Sequence, residues 1–264
     1  MKKNKFFGTY YKHQTSDGFT ISLIVSNSNE GEMMQIITNE KSYMVEDLSS
    51  INVSFQGIEF NIHQKDLELE GFIIYGPLLK PKKDIMSYFR HLPIECKHNI
   101  YSMYHRLHGK ITLNGKEIKF CNGDGYIEGD EGRNFPPKYL WFNATSHVAS
   151  ITAMVADIPL GITTITGVTC LIEYNDKEYR FGTYNFARAD TISKNHIVIR
   201  KGKYTLIIEI EDEVEGQLLR APISGNMDRF IKEAVTVKAR YILKEKNQTI
   251  LDVTHPYASY EYMY

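Results

Sequence analysis

The sequence predicts an all-β fold built from antiparallel sheets. Three observations carry this. Apolar residues recur at every second position along most of the chain, turn signals separate these runs, and the 18 Tyr and 13 Phe suit strands better than helices.

The runs come in order. Phe19, Ile21, Leu23 and Val25 alternate with Thr20 and Ser22. Tyr204, Leu206, Ile208 and Ile210 share one face, with Thr205 and Glu209 on the other. Val235, Val237, Ala239, Tyr241 and Leu243 alternate with Thr236, Lys238, Arg240 and Lys244. Such half-buried strands are punctuated by Ser16-Asp17-Gly18, Asn29-Glu30-Gly31, Asn114-Gly115, Asn122-Gly123-Asp124-Gly125 and Asn175-Asp176. Asn114-Gly115, between Ile111–Leu113 and Glu117–Phe120, is the signature of a tight hairpin. A helical period is brief, over Asp84–Phe89 and Asp228–Ala234, giving one or two short helices. Many short strands with frequent turns imply antiparallel barrels or sandwiches.

Composition narrows the function classes. Hydrophobic residues make up 42% of the 264-residue chain, enough for a packed core in one large or two small domains. Lys plus Arg number 31 against 32 Asp plus Glu, so the net charge of −1 argues against nucleic acid and anionic membranes as partners. Lys80, Lys82 and Lys83 form the densest basic patch and read as a solvated loop. Three cysteines, at 96, 121 and 170, cannot all pair, so a reducing cytoplasm is the expected compartment. The basic start, Met1–Phe7, is followed by no apolar segment of signal-peptide type. Ile158–Ile172 is too short and too interrupted to span a bilayer, so no integral membrane segment is expected.

Gly125 to Asn143 is the most informative stretch: Gly-Tyr-Ile-Glu-Gly-Asp-Glu-Gly-Arg-Asn-Phe-Pro-Pro-Lys-Tyr-Leu-Trp-Phe-Asn. It holds the only Trp, an acidic cluster, an Arg and a Pro-Pro step between two apolar-aromatic runs. The segment resembles the signature of the tocopherol cyclase family, roughly Tyr-x-Glu-x-x-x-Gly-x-x-Phe-Pro-x-x-Trp/Tyr-x-Trp. The likeness extends to Tyr11-Lys12-His13-Gln14 with Asp17-Gly18-Phe19, to Cys96-Lys97-His98 with Ser102–His105, and to Glu178-Tyr179-Arg180 with Thr183-Tyr184. Ala221-Pro222, Gly225–Met227 and Glu233 also fit. These pieces span nearly the whole chain, in order. The resemblance implies two packed lipocalin-like barrels, as in hydroxyneurosporene hydratase-like relatives, with an N-terminal unit over 1–124 and a C-terminal unit over 125–264. The chain departs from the plant pattern at Glu131, Tyr139 and Asn143.

The resemblance also implies a chemistry. Cyclisation of a prenylated quinol needs a carboxylic acid kept protonated by an apolar site, aromatic faces for a carbocation and a dry cavity. A lipocalin-like barrel supplies the cavity. Glu128 matches the Glu of the motif and is the first candidate acid. On an extended strand Asp130 points to the same side, with Cα atoms roughly 6–7 Å apart, so the two carboxyls can share a proton. A structural alternative has both hold Arg133, or accept backbone N–H groups before Pro136. Tyr139, Trp141 and Asn143 share a strand face, either as a cavity wall with Asn143 orienting a polar head or as plain core. Cys96 and His98 share a face, and His105 and His108 follow; their spacing matches no zinc pattern, so no metal or other cofactor is expected. His98 and His105 are candidates for ligand contact or proton relay, and Arg133 is a candidate for ligand contact. No P-loop, Gly-x-Gly-x-x-Gly or Gly-x-Ser-x-Gly elbow occurs.

Two functions of different class follow. One is an enzyme acting on a prenylated quinol or isoprenoid by acid-catalysed cyclisation or hydration, with Glu128 or Asp130 as acid. The other is a non-catalytic carrier of a hydrophobic small molecule. Weaker readings are glycoside hydrolysis by the carboxyl pair and a structural module whose core is filled by Phe and Tyr. The oligomeric state is not legible.

Overall fold

A computed structural model of the chain describes residues 5–45, 47–211 and 215–264. Among the described residues, nineteen strands form two curled antiparallel sheets. The first contains β1 (Phe6–Gln14), β2 (Thr20–Ser28), β3 (Gly31–Thr38), β4 (Ser42–Val45), β5 (Ile51–Val53), β6 (Gly57–Gln64), β7 (Leu67–Tyr75), β8 (Cys96–Leu113) and β9 (Lys116–Gly132), in the order β4-β3-β2-β1-β9-β8-β7-β6-β5. The second contains β10 (Tyr139–Thr145), β11 (Ala149–Leu160), β12 (Thr163–Tyr174), β13 (Lys177–Gly182), β14 (Arg188–Ile192), β15 (His196–Lys201), β16 (Tyr204–Ile210), β17 (Gln217–Ile223), β18 (Asn226–Glu245) and β19 (Gln248–Tyr262). Its order is β13-β12-β11-β10-β19-β18-β16-β15-β14, with β17 added on β18. The architecture is double lipocalin-like and all-β.

Gly71 (φ 117°) explains part of the first sheet's curl, because a Cβ there would lie 2.3 Å from the Lys110 carbonyl oxygen on the adjacent strand. The hairpin at Asn114-Gly115 joins β8 to β9, both residues at positive φ. The four residues Asn122–Gly125 are not a turn. They lie within β9, where Asn122 (φ 58°) bulges opposite the register shift at Leu107/His108. The chain leaves the first sheet at Gly132 and enters the second at Tyr139, so the acidic half of the motif sits in one sheet and the aromatic half in the other.

The helical expectation over Asp228–Ala234 is corrected. These residues lie in β18, paired on one side by β17 and, towards Glu233, by β19, and two flanking ladders outweigh a brief local period. Asp84–Phe89 gives only a 3-10 turn at Ser87–His91, started where Asp84 Oδ1 accepts the Met86 N–H at 2.7 Å.

Each sheet wraps its own core. Tyr11, Ile21, Leu23, Ile36, Phe120 and Ile127 pack in the first, and Leu140, Phe142, Ile151, Leu206, Tyr241 and Leu243 in the second. A third apolar cluster lies between the sheets, with Tyr10, Tyr126, Met103, Tyr139, Trp141, Ile231 and Val235. Strand periodicity separates these layers: Ile127 turns inward while its neighbours Tyr126 and Glu128 turn towards the other sheet, as Trp141 does between Leu140 and Phe142. Gln35 (2% exposed) ties the sheets like an extra strand, donating to the Arg220 carbonyl at 2.9 Å and accepting the Arg220 N–H at 2.7 Å. No helix among the described residues is long and apolar enough to cross a membrane.

Candidate active site

An apolar cavity of about 130 Å³ lies between the two sheets. Ile24, Ile94, Phe135, Met154, Ile158 and Ile231 supply much of its wall. The sequence reading put a cavity inside a barrel; the barrel interiors are instead filled by the two cores just described, and the motif residues face the seam between the sheets. Glu128, Asp130, His98, Tyr139 and Trp141 line this cavity.

Glu128 reaches it from β9, one side of which pairs with β1 (Tyr10 opposite Glu128, Gly8 opposite Asp130) and the other with β8 (His98 opposite Asp130). Cross-strand partners share a face, so Tyr10, Gly8 and His98 surround the two acids. Glu128 Oε2 accepts the Tyr126 hydroxyl at 2.6 Å and the Trp141 indole N–H at 3.1 Å. Thr152, on β11, donates in turn to the Tyr126 oxygen at 3.1 Å. Two sheets thus aim donors at one carboxyl oxygen.

His98 lies between the acids. Its Nε2 is 3.4 Å from Glu128 Oε2 and its Nδ1 3.0 Å from Asp130 Oδ1. The Cys96 thiol adds a longer contact to Asp130 Oδ1, 3.6 Å. Burial alone would lower the imidazole pKa, but the carboxylates of Glu128 and Asp130 raise it, to about 9. Burial also pushes Glu128 up to about 7, against the pull of His98 and of the Tyr126 and Trp141 bonds and with a push from Asp130. Burial thus favours a protonated Glu128, while the charges of the two neighbouring carboxylates favour a protonated His98. With Oε2 occupied by donors, Oε1 is the oxygen left to carry a proton. Tyr126 and Trp141 fix the orientation of the Glu128 carboxyl. Cys96 is not an activated thiol, since burial and Asp130 hold it protonated.

Ligand-type atoms of His98, Glu128 and Asp130 lie within 4.8 Å of one another. His98, however, spends one ring nitrogen on each carboxylate, and binding an ion would break one of these contacts. The arrangement matches a bridging imidazolium better than a metal centre.

Other expected residues lie elsewhere. Asn143 is fully buried between the sheets, its carbonyl oxygen accepting from Thr145 at 3.3 Å, and is not part of the cavity wall. His105 sits in the first sheet, its Nδ1 3.0 Å from the Ser102 hydroxyl and its ring 4.7 Å from Tyr75. Burial lowers its pKa to about 3, so it is neutral. Arg133 is exposed, and neither acid holds it. The Pro-Pro step is held instead by Arg229, which donates to the carbonyls of Pro136 (2.7 Å) and Pro137 (2.8 Å).

Tyr10 and Glu261 have no place in the sequence motif, and the burial of Lys12 is not legible there. Tyr10 donates to Glu233 Oε1 at 2.5 Å, and Tyr139 to Glu261 Oε2 at 2.5 Å. Lys12, 1% exposed, donates to the Tyr257 carbonyl at 3.1 Å, and burial lowers its pKa to about 7 although Glu233 and Asp124 pull upward. The available signal was periodicity: Tyr10 and Lys12 alternate with core residues Tyr11 and His13 on the strand that flanks β9. A lysine is ordinarily read as exposed, which hid it.

Residues 50–262 match the family model described as tocopherol cyclase-like. No curated protein sequence matches the chain. Among solved structures it is similar to CghA (7% identity, 98% of this chain and 88% of that one, TM-score 0.66) and to kievitone hydratase from Nectria haematococca (9%, 98% and 89%, TM-score 0.59). An AttH protein from Nitrosomonas europaea is similar too (9%, 99% and 93%, TM-score 0.53). At such identities the likeness speaks for the fold, and it extends over nearly all of each chain. With the motif's acid and indole joined across the seam and most of its length matched, the chain belongs to the tocopherol cyclase-like family.

Proposed function

We propose that this protein is an enzyme that adds an oxygen nucleophile across an alkene of an apolar substrate, of prenylated quinol or isoprenoid type. The observation that carries this is the Glu128–His98–Asp130 proton store on the wall of an apolar cavity. Glu128 gives the proton on Oε1 to the less substituted alkene carbon, which leaves a tertiary cation. The rings of Tyr10 and Trp141, 5.4 Å apart and edge to face, border the cavity and offer π-electron density to that cation. A phenol oxygen of the substrate then closes a ring, or a water adds. The oxonium loses its proton to the ionised cluster, and His98 passes charge between its two carboxylates, so the protein ends as it began.

Family membership supports the reading, as does the hydratase among the chain's structural relatives. The dominance of apolar side chains in the wall speaks against sugars, which need many polar partners.

The test is incubation of the purified chain with a panel of prenylated phenols in D2O, followed by mass spectrometry and NMR. Cyclisation gives an isomer carrying one deuterium; hydration adds the elements of heavy water. Both should vanish in Glu128→Gln. Ligands bound and released unchanged by the wild type would instead establish the carrier alternative.

A further inference from the structure

Glu261 is a further cavity-wall acid, from the opposite sheet, that alkene protonation by Glu128 leaves unused. β19 pairs with β10 so that Glu261 stands opposite Trp141, and with β18 so that it stands opposite Glu233. Tyr139 Oη donates to Glu261 Oε2 at 2.5 Å. Arg229, whose guanidinium carbon is 5.9 Å from the Tyr139 ring centre, is committed to the Pro136 and Pro137 carbonyls. Burial raises the Glu261 pKa to about 8; the Tyr139 bond opposes this, Glu128 and Asp130 add to it, and Arg229 opposes it. Burial thus favours the neutral form of Glu261, with Oε2 accepting from Tyr139 and Oε1 left to carry the proton. A neutral carboxyl in an apolar wall is a hydrogen-bond donor for a ligand oxygen. A carbonyl oxygen accepts without bringing a proton of its own, whereas a hydroxyl proton would find mainly the already engaged Oε2.

We propose that Glu261, oriented by Tyr139, forms a carbonyl-binding end of the cavity. The substrate class is then an apolar, unsaturated molecule carrying a ketone, ester or quinone oxygen, its alkene towards Glu128 and its oxygen towards Glu261. This rests on the acid-catalysed reading above and narrows its substrates.

Carvone and limonene share one carbon skeleton and differ by the conjugated carbonyl, so they isolate the claim. The lone Trp141 lies in the cavity wall, and its fluorescence reports binding without a label. The wild-type chain should bind carvone about tenfold more tightly than limonene, as expected for one buried hydrogen bond. The infrared carbonyl band of bound carvone should move to lower frequency. Glu261→Leu should reduce carvone affinity to that of limonene while limonene binding persists, and Glu261→Gln, which keeps a donor, should retain part of the preference. The band shift in the wild type needs no variant and stands if Glu261→Leu fails to fold. Equal binding of the two compounds, binding of neither, or an unshifted band overturns the proposal. Deuterium uptake by alkenes without carvone preference defeats the carbonyl end alone. Carvone preference without deuterium uptake defeats the Glu128 reading.

Discussion

The Trp141 indole, from the first strand of the second sheet, donates to Glu128 Oε2 on the last strand of the first sheet, at 3.1 Å. The bond joins the two halves of the sequence motif, and it is stronger to a carboxylate than to a carboxylic acid. Its loss therefore has a pH signature. Trp141→Phe should cost about 1–3 kcal/mol of stability when Glu128 is ionised. The cost should shrink as pH falls below about 7, where Glu128 takes up its proton. Denaturant unfolding followed by circular dichroism, run on both sides of that pH, measures this. A cost that does not vary with pH contradicts the assigned bond.

Gly8 keeps the cavity open. It stands opposite Asp130 on β1, lines the cavity, and a Cβ there would meet nothing within 4 Å. Its backbone is not left-handed, so a side chain is accepted without strain. Gly8→Leu should fill the space beside the acids and weaken binding of a small apolar ligand by at least about tenfold, while stability moves by less than about 1 kcal/mol. Titration with carvone, read by Trp141 fluorescence, together with a melting curve, decides it. Unchanged affinity in a folded Gly8→Leu protein would place the ligand elsewhere.

Gln35 is the test of how the sheets are held together. Its amide satisfies both backbone groups of Arg220 and is almost wholly buried. Gln35→Ala leaves an N–H and a carbonyl at the seam without that partner and should destabilise by about 2–6 kcal/mol, since each orphaned group costs about 1–3. Gln35→Glu, which keeps only the acceptor, should be at least as harmful, because it buries a charge. Equilibrium unfolding of the three proteins checks the order.

The parts of this molecule that were readable in advance are those governed by local rules. Period two and the Asn114-Gly115 turn placed strands because alternation and turn chemistry act within a few residues. The Glu128–Trp141 region was readable because the motif packs acid, indole and Pro-Pro step into one short segment. What failed depended on partners distant in the chain. Asp228–Ala234 carried a helical period that two flanking strands overrode. Asn122–Gly125 carried turn residues that a bulge absorbed. His98 could be named but its bridging position could not, because it follows from cross-strand register with Asp130. Arg133 stands apart from the acids, while Arg229, far along the chain, holds the Pro-Pro step. Glu261 lies beyond every motif and enters the cavity only through the pairing of β19 with β10.

The central claim is that His98 carries a proton held between Glu128 and Asp130. Linkage gives the sign: a histidine whose pKa rises from 6.5 to about 9 on folding adds stability that is complete below about 6.5 and lost as pH climbs through about 9. The direct measurement is 15N NMR of the His98 ring over this range. The account predicts both ring nitrogens protonated at about pH 7.5, with titration near about 9. A neutral His98 ring at about pH 7.5, with one nitrogen bare, would contradict it.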